Sequence, residues 1–250
     1  KTAVIETAQC VGLPLVFGRE NPGAVTTLGI GQLMLDALEH GAQRIMIGLG
    51  GTASNDAGCG MAHALGVRFY DELDNEFIPV GSTLNRVARI DACCSHERMQ
   101  GIDVVAMCDV DNPIAGPQGA ARIFGTQKGA NPQEVELLDA GLAHIATFID
   151  DCAGSDASAM PGAGAAGGLG AGLVAFAGGS IKSGIECVLE LLHMDDNLAG
   201  ASLVVTGEGR FDMQSLAGKA PIGVARKAAK LGVPVVVLAG LVDSKVRSYI

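Results

Sequence analysis

The chain has 250 residues, which suits one large domain or two small ones, and 48% of them are hydrophobic. Its formal net charge of −10 and its 4% aromatic content argue against a nucleic-acid partner. No uninterrupted apolar run reaches the length of about 18 residues that a membrane-spanning helix needs. The seven cysteines form no C-x-x-C pair and the histidines lack zinc spacing, which predicts a cytoplasmic protein without a transition metal.

The first predicted elements alternate between helix and strand. Residues 1–10 are typical of a helix, and apolar residues recur at helical spacing over residues 31–40. Gly41 suits the position just after that second helix. Buried strands are predicted for residues 44–47 and 103–108, because both runs are short, apolar and bounded by polar or glycine residues.

The clearest helical signal in the chain covers residues 132–151. Asn131 suits the N-cap, and Glu134 stands where a capping box needs its acidic partner. The segment that follows, 153–180, is rich in glycine and alanine and is predicted to be an ordered glycine loop that leads into a helix. A flexible linker is the alternative for this segment.

The last predicted elements form a βαβ crossover. A strand at 202–206 precedes a helix at 221–231 and a strand at 233–238. Strands that alternate with helices predict an α/β fold with a mainly parallel sheet. No internal boundary can be located, so residues 1–250 are treated as one continuous portion.

A glycine-rich turn follows the strand at 44–47. Its segment Gly48–Ala53 fits G-x-G-x-x-A, and Asp71 lies 23 residues beyond Gly48. These features motivate one hypothesis, a nicotinamide-dependent oxidoreductase. Against it, Asp56 puts a carboxylate where a pyrophosphate would lie, and an aspartate there is better suited to capping a helix or holding a metal ion.

A loop with many charged side chains is predicted at residues 206–219, after the strand at 202–206. Its polar residues are Glu208, Arg210, Asp212, Ser215 and Lys219. In open α/β sheets, loops at the carboxyl ends of strands bind ligands, which favours a binding site here. The alternative is a solvated turn with internal ion pairs.

A third polar loop follows the strand at 103–108. Asp109 at the strand end is a candidate to hold Mg²⁺ or to orient a substrate hydroxyl. The segment 111–113, Asp-Asn-Pro, is equally typical of a simple turn.

Several long motifs in this order resemble those of the bacterial glycerate kinases. They are GLGGTASNDAGCGM at 48–61, CDVDNPIAGPQGAA at 108–121, GAGAAGGLGAG at 162–172 and VVTGEGRFDMQSLAGKAPIGVA at 204–225. The resemblance covers essentially the whole chain. It implies a two-domain α/β protein that transfers the γ-phosphoryl group of ATP to glycerate, usually at the 2-hydroxyl, with Mg²⁺.

The matching positions imply a set of site residues. The implied catalytic residues are Asp56, Asp212, Arg210 and Lys219, and Asp109 is the implied Mg²⁺ ligand. The implied substrate- and phosphate-binding residues are Gly50, Gly51, Thr52, Ser54, Asn55, Asn112, Glu208, Gln214 and Ser215. The carboxylates are candidates to orient the hydroxyl or hold Mg²⁺, and the cations to neutralise phosphate or carboxylate charge. The sequence does not divide these roles.

The resemblance also implies further segments and partners. The family's N-terminal Asp-Ser-Phe-Lys-Gly motif and its C-terminal segment are not among these residues, so we expect terminal parts of a two-domain protein outside them. The expected ligands are glycerate, ATP and Mg²⁺, the expected assembly is a homodimer, and no nucleic-acid or membrane partner is expected. The remaining alternatives are a nicotinamide-dependent oxidoreductase and an inert structural fragment of a larger protein.

Overall fold

The computed structural model describes residues 1–92, 97, 99–216 and 220–249, with the backbone alone at 214 and 247–249. The chain divides after residue 181 into two compact units, residues 1–181 and 182–250. The strands are β1 (Thr2–Glu6), β2 (Arg44–Gly48), β3 (Arg68–Tyr70), β4 (Glu76–Phe77), β5 (Arg89–Asp91), β6 (Asp103–Met107), β7 (Ser180–Lys182), β8 (Val204–Phe211) and β9 (Val235–Val242).

The α-helices of the first unit are α1 (Ala8–Val11), α2 (Leu28–Glu39), α3 (Cys59–Leu65), α4 (Ala120–Phe124), α5 (Pro132–Ala153) and α6 (Ala165–Ala177). Those of the second unit are α7 (Gly184–Leu191), α8 (Met194–Leu198), α9 (Met213–Leu216) and α10 (Ala220–Lys230). Within the described residues, no helix combines the length and the apolar character needed to cross a membrane.

The first unit is built on a four-stranded sheet in the order β1-β2-β6-β7. β1 and β6 both pair with β2 in parallel, and the three strands end level with one another because Glu6, Gly48 and Met107 are in register. This confirms the predicted α/β fold with a parallel sheet. The level ends matter, since the loops that follow the strands open onto one edge.

The predicted helix over residues 1–10 is wrong. Thr2–Glu6 forms a strand, and only Ala8–Val11 is helical. The strand forms because its backbone pairs with β2 along its whole length, from Thr2 opposite Arg44 to Glu6 opposite Gly48. Tertiary pairing of this kind overrides weak local propensity.

A small antiparallel sheet with the order β4-β3-β5 lies in the same unit. Asp71 follows β3, and its carboxylate accepts hydrogen bonds from the backbone N–H groups of Leu73 and Asn75 in a turn. A dinucleotide-binding unit needs its acidic residue at the end of a strand that lies parallel beside the first. Because both neighbours of β3 among the described residues are antiparallel to it, the topology argues against the nicotinamide hypothesis.

The long helix α5 confirms the strongest sequence signal. Asn131 Oδ1 accepts from the Glu134 N–H at 3.0 Å, and Glu134 Oε2 accepts from the Asn131 N–H at 2.8 Å, which is the predicted capping box. The apolar stripe of α5 packs into the core through Leu138, Leu142, Ile145 and Ile149. The predicted glycine loop that leads into a helix is also confirmed, by α6.

The second unit contains the predicted βαβ crossover. β8 and β9 pair in parallel, and α10 connects them. β8 extends as far as Phe211, so the prediction that residues 206–211 form a loop is wrong. Pairing with β9 keeps this polar segment extended, with Glu208 opposite Ala239 and Arg210 opposite Leu241.

Candidate functional site

A cleft of about 280 Å³ opens at the carboxyl ends of β2 and β6 in the first unit. The turn after β2 contributes Gly50, Gly51 and Thr52 to its wall, Asp109 follows β6, and Lys128 closes one side. Clefts at this edge of a parallel sheet are the usual ligand sites of α/β proteins. The volume lies near the lower end of the range for small-molecule sites, roughly 300–1,000 Å³.

The glycine turn is held by backbone hydrogen bonds to the segment before it. Gly51 O accepts from the Leu13 N–H at 2.9 Å, and the Ala53 N–H donates to Val11 O at 2.8 Å. Gly51 has a φ of +67°, which glycine adopts without steric cost. Gly50 and Gly51 are exposed residues that line the cleft, and in the described part of the chain no acceptor takes their N–H groups. Adjacent free N–H groups of this kind bind anions.

Ser54 and Asn55 lie behind the turn rather than on the wall of the cleft. Both are fully buried, and Ser54 Oγ and both polar atoms of the Asn55 side chain have no hydrogen-bond partner among the described residues. Their backbone is covered by Gly167, where an added Cβ would lie 2.2 Å from Ser54 O. Their predicted role in binding stays a prediction.

Asp56 is fully buried and ties two segments together. Its carboxylate accepts from the Thr27 N–H at 2.7 Å and the Thr27 hydroxyl at 2.9 Å. It also accepts from the N–H groups of Gly58 and Gly60, where α3 begins. Burial raises the pKa of Asp56, and these four hydrogen bonds oppose that shift. Asp56 thus reaches the first turn of α3, although Gly58 is the N-cap residue of that helix. A catalytic role for Asp56 stays a prediction.

Lys128 ends a short 3₁₀ turn, Thr126–Lys128, and its side chain is 4% exposed. Its ammonium group donates to the backbone oxygen of Ser54 at 2.7 Å, across 74 residues of sequence. Burial lowers the pKa of Lys128 to about 8, and the negative charge of Asp56 opposes this shift.

The loop after β6 carries two of the predicted residues. Asp109 is exposed and lines the cleft. Asn112 holds the loop in place, because its side-chain amide donates to Gln118 O at 2.8 Å and its backbone oxygen accepts from the Gly164 N–H at 2.9 Å. Among the described residues, no group of three or more His, Cys, Asp or Glu side chains is arranged to hold a metal ion.

Two alanines of the first unit have strained backbones. Ala57 has a φ of +54° and Ala166 has a φ of +55°, values that residues other than glycine seldom adopt. Ala166 lines the cleft and begins a run of three left-handed residues that continues through Gly167 and Gly168. Strain of this kind is concentrated at functional sites in proteins, which supports a functional role for this edge of the sheet.

In the second unit, a separate polar cluster lies at the carboxyl ends of β8 and β9. Asp212 Oδ1 accepts from the Ser215 N–H at 3.2 Å, and Ser215 Oγ accepts from the Asp212 N–H at 3.1 Å, which caps α9. Arg210 contacts Asp212 at 3.5 Å and Asp243 at 3.7 Å. The cluster therefore holds the predicted Arg210, Asp212 and Ser215 together with Asp243.

Three further predicted residues belong to the second unit. Glu208 lies within β8, and its Oε1 is buried with no hydrogen-bond partner among the described residues. Lys219 and the side chain of Gln214 lie outside the described residues.

Comparison with known proteins identifies the family of this chain. The sequence profile of the glycerate kinase family matches residues 1–249. The chain belongs to the glycerate kinase family. It is 46% identical over 241 residues to a glycerate kinase of Halalkalibacterium halodurans, and 46% identical over 241 residues to a glycerate 2-kinase of Escherichia coli. Each match covers 96% of this chain and 63% of the relative.

A solved structure of the same family has a similar fold. The crystal structure of a putative glycerate kinase 2 from Salmonella typhimurium superimposes with a TM-score of 0.87 at 41% sequence identity. The match covers 97% of this chain and 67% of the solved chain. The chain thus spans slightly less than two thirds of the curated glycerate kinases above.

Sequence reasoning missed two residues of this family member. Lys128 stands in a short turn with no periodic pattern, and only its burial beside Ser54 draws attention to it. Asp243 directly follows β9, as Asp212 directly follows β8. The last strand was predicted to end at residue 238, so the sequence did not place Asp243 at the edge where parallel strands end.

Proposed function

We propose that the polypeptide to which these residues belong transfers the γ-phosphoryl group of ATP to the 2-hydroxyl of glycerate. Membership of the glycerate kinase family supports this activity, and a relative named glycerate 2-kinase supports the choice of hydroxyl. The observation that carries the proposal is the cleft at the edge of the parallel sheet, which is lined by Gly50 and Gly51, with their free N–H groups, and by Asp109. Its chemistry suits a small anionic ligand.

In the proposed reaction, the glycerate hydroxyl oxygen bonds to the γ-phosphorus while the bond from that phosphorus to the bridging oxygen of ADP breaks. The hydroxyl proton passes to a carboxylate. Such a transfer needs little covalent chemistry from the protein. It depends on how the protein positions the two substrates and stabilises the negative charge of the phosphates. In this proposal Gly50 and Gly51 bind anionic oxygen. Asp212 is, as a separate proposal, the carboxylate that accepts the proton. Asp56 ties Thr27 to the start of α3 through its four hydrogen bonds.

Mg²⁺ forms part of the proposal as the ion that accompanies ATP. Protein-bound Mg²⁺ keeps several waters and takes one or two carboxylates besides the phosphates of its nucleotide. The described residues fit that mode, since Asp109 is an exposed carboxylate on the cleft wall. They do not offer an all-protein cage of three ligands. When bound, the ion supplies charge neutralisation at the phosphates, and Asp109 is the residue that would hold it.

The test uses the complete polypeptide with Mg²⁺, ATP and glycerate. We expect ADP to form only when glycerate is present, and the phosphorus NMR spectrum of the product to show phosphate on the 2-hydroxyl. Phosphate on the 3-hydroxyl of the product would overturn the proposed choice of hydroxyl but not the proposed kinase activity. No glycerate-dependent ADP would reject the proposed activity and favour the inert structural alternative.

The same proposal includes a homodimer in the cytoplasm without nucleic-acid or membrane partners. The described cysteines are free thiols, as expected in a reducing compartment. Light scattering of the purified polypeptide measures the mass of the assembly, and a monomer mass would reject the dimer.

A further inference from the structure

Lys128 occupies a position that a lysine seldom takes. Its side chain is 4% exposed, yet it forms part of the cleft wall. Lysines are almost never fully buried unless their charge is paired. The burial is built into the fold, since the turn Thr126–Lys128 places the side chain directly against Ser54.

The hydrogen bonds of Lys128 leave donor capacity unused. An ammonium group has three N–H donors, and Ser54 O takes one of them. Among the residues described, no carboxylate oxygen lies within 4.0 Å of Lys128 Nζ. The negative charge of Asp56 favours the charged form of Lys128 from a greater distance. The oxygens of Asp56, however, already accept four hydrogen bonds from Thr27, Gly58 and Gly60. Two N–H donors therefore remain for something other than the described protein.

The charge of Lys128 is costly in the absence of a partner. Burial lowers its pKa to about 8, so the ammonium form still predominates at neutral pH while its free energy is raised. An anion that enters the cleft would lower that free energy. Gly50 and Gly51 line the same space, and their N–H groups have no acceptor in the described part of the chain.

We propose that the Lys128 ammonium binds an anionic oxygen of the ligand in the cleft, together with the N–H groups of Gly50 and Gly51. The oxygen belongs to a phosphate or a carboxylate, since both present a compact negative charge that an ammonium and backbone donors recognise. Ser54 O is the positioning group, because its hydrogen bond holds Nζ against the segment directly behind the glycine turn. The inference rests on the proposed function only for the identity of the ligands to be tested.

The experiment measures direct binding of three probes to the complete polypeptide in the presence of Mg²⁺: ADP, the β,γ-imido analogue of ATP, and glycerate. Lys128→Gln removes the charge but keeps an amide donor for Ser54 O. Lys128→Arg keeps the charge. Lys230→Gln is the matched control, since Lys230 is an exposed lysine of α10 outside this cleft.

We expect Lys128→Gln to weaken binding of at least one probe by about 10- to 100-fold, which is typical of losing a hydrogen bond to a charged group. Lys128→Arg should recover most of that loss, and Lys230→Gln should bind as the unmodified protein does. If binding of the imido analogue alone is weakened, Lys128 contacts the terminal phosphate. If binding of both nucleotides is weakened, it contacts an inner phosphate. If binding of glycerate is weakened, it contacts the carboxylate of glycerate. A folded Lys128→Gln protein that binds all three probes within about twofold of the unmodified protein overturns the inference.

A second measurement decides the question if Lys128→Gln does not fold. Calorimetry of the unmodified protein at about pH 8, in two buffers of different ionisation enthalpy, reports proton uptake on binding. We expect uptake, because an anion beside Lys128 raises its pKa. The other titratable groups near it include Asp56, Asp109, the Cys108 thiol and Glu20, which packs against Gly129. Burial raises the pKa of the Cys108 thiol, which keeps it neutral, and hydrogen bonding to backbone N–H groups lowers the pKa of Glu20, which keeps it ionised. No uptake would overturn the inference, whereas absent turnover with intact binding would reject only the proposed function.

Discussion

Gly167→Ala should destabilise the protein more than Gly178→Ala, an alanine at a left-handed glycine with open space around it. Gly167 has a φ of +71°, and an added Cβ would lie 2.2 Å from Ser54 O and 2.6 Å from Asn55 Cα. Both contacts are with backbone, which cannot swing away as the end of a side chain can. Gly178, just after the end of α6, has a φ of +63°, and an added Cβ there would lie in open space. It is therefore a matched control.

The expected magnitudes follow from these two environments. Left-handed strain costs an alanine about 1–2 kcal/mol at either position. At Gly167 the turn 54–55 must also move by about 1 Å to restore an ordinary C···O separation of roughly 3.3 Å. Such overpacking costs about 1–3 kcal/mol more. We therefore expect Gly167→Ala to lower the free energy of unfolding by about 2–5 kcal/mol and Gly178→Ala by about 1–2 kcal/mol.

Urea unfolding followed by far-ultraviolet circular dichroism measures both variants. Equal slopes with different midpoints would report a change of stability alone. A third variant, Gly172→Ala, tests the steric contact without left-handed backbone strain. Gly172 lies in a helix and has no positive φ, yet an added Cβ would lie 2.3 Å from Ala57 O. Gly→Ala normally stabilises a helix, so a loss of stability at Gly172 would isolate the steric contribution. Equal losses at Gly167 and Gly178 would refute the close approach of the two loops.

The remaining predictions concern charge and capping. Asp212→Asn should lower kcat of the complete polypeptide by at least about 100-fold with a nearly unchanged Tm, because asparagine still caps α9 but lacks the charge; a near-normal kcat in a steady-state assay would remove Asp212 from the site. Asn131→Ala should cost about 1 kcal/mol in urea unfolding, because it breaks the capping box with Glu134; an unchanged midpoint would contradict this. The pKa of Lys128 falls from 10.5 to about 8 on folding, so the unfolded state binds more protons between these values and stability rises with pH there. Relative to Lys128→Gln, the unmodified protein should gain about 2 kcal/mol between about pH 7 and about pH 9.5, and a pH-independent difference in unfolding free energy would show that burial does not lower this pKa.

Local signals in the sequence determined much of the fold. The helix that begins at Pro132 was predictable because its cap, its first turn and its apolar stripe all lie within one segment. The strands at Arg44–Gly48 and Asp103–Met107 were predictable as short apolar runs, and their parallel pairing followed from the alternation with helices. The glycine turn at the cleft was likewise predicted, because it directly follows a strand whose carboxyl end opens onto the ligand edge of the sheet.

Only the tertiary structure decided which side chains meet. Thr2–Glu6 became a strand because β2 was available to pair with it, and β8 continued to Phe211 because β9 ran beside it. Lys128 and Ser54 are 74 residues apart in sequence, and no periodicity relates them. Helical and strand patterns record which face of an element is apolar, whereas the partner of a buried charge depends on how distant segments pack. The sequence could therefore predict the glycine turn, but only packing brought the lysine to it.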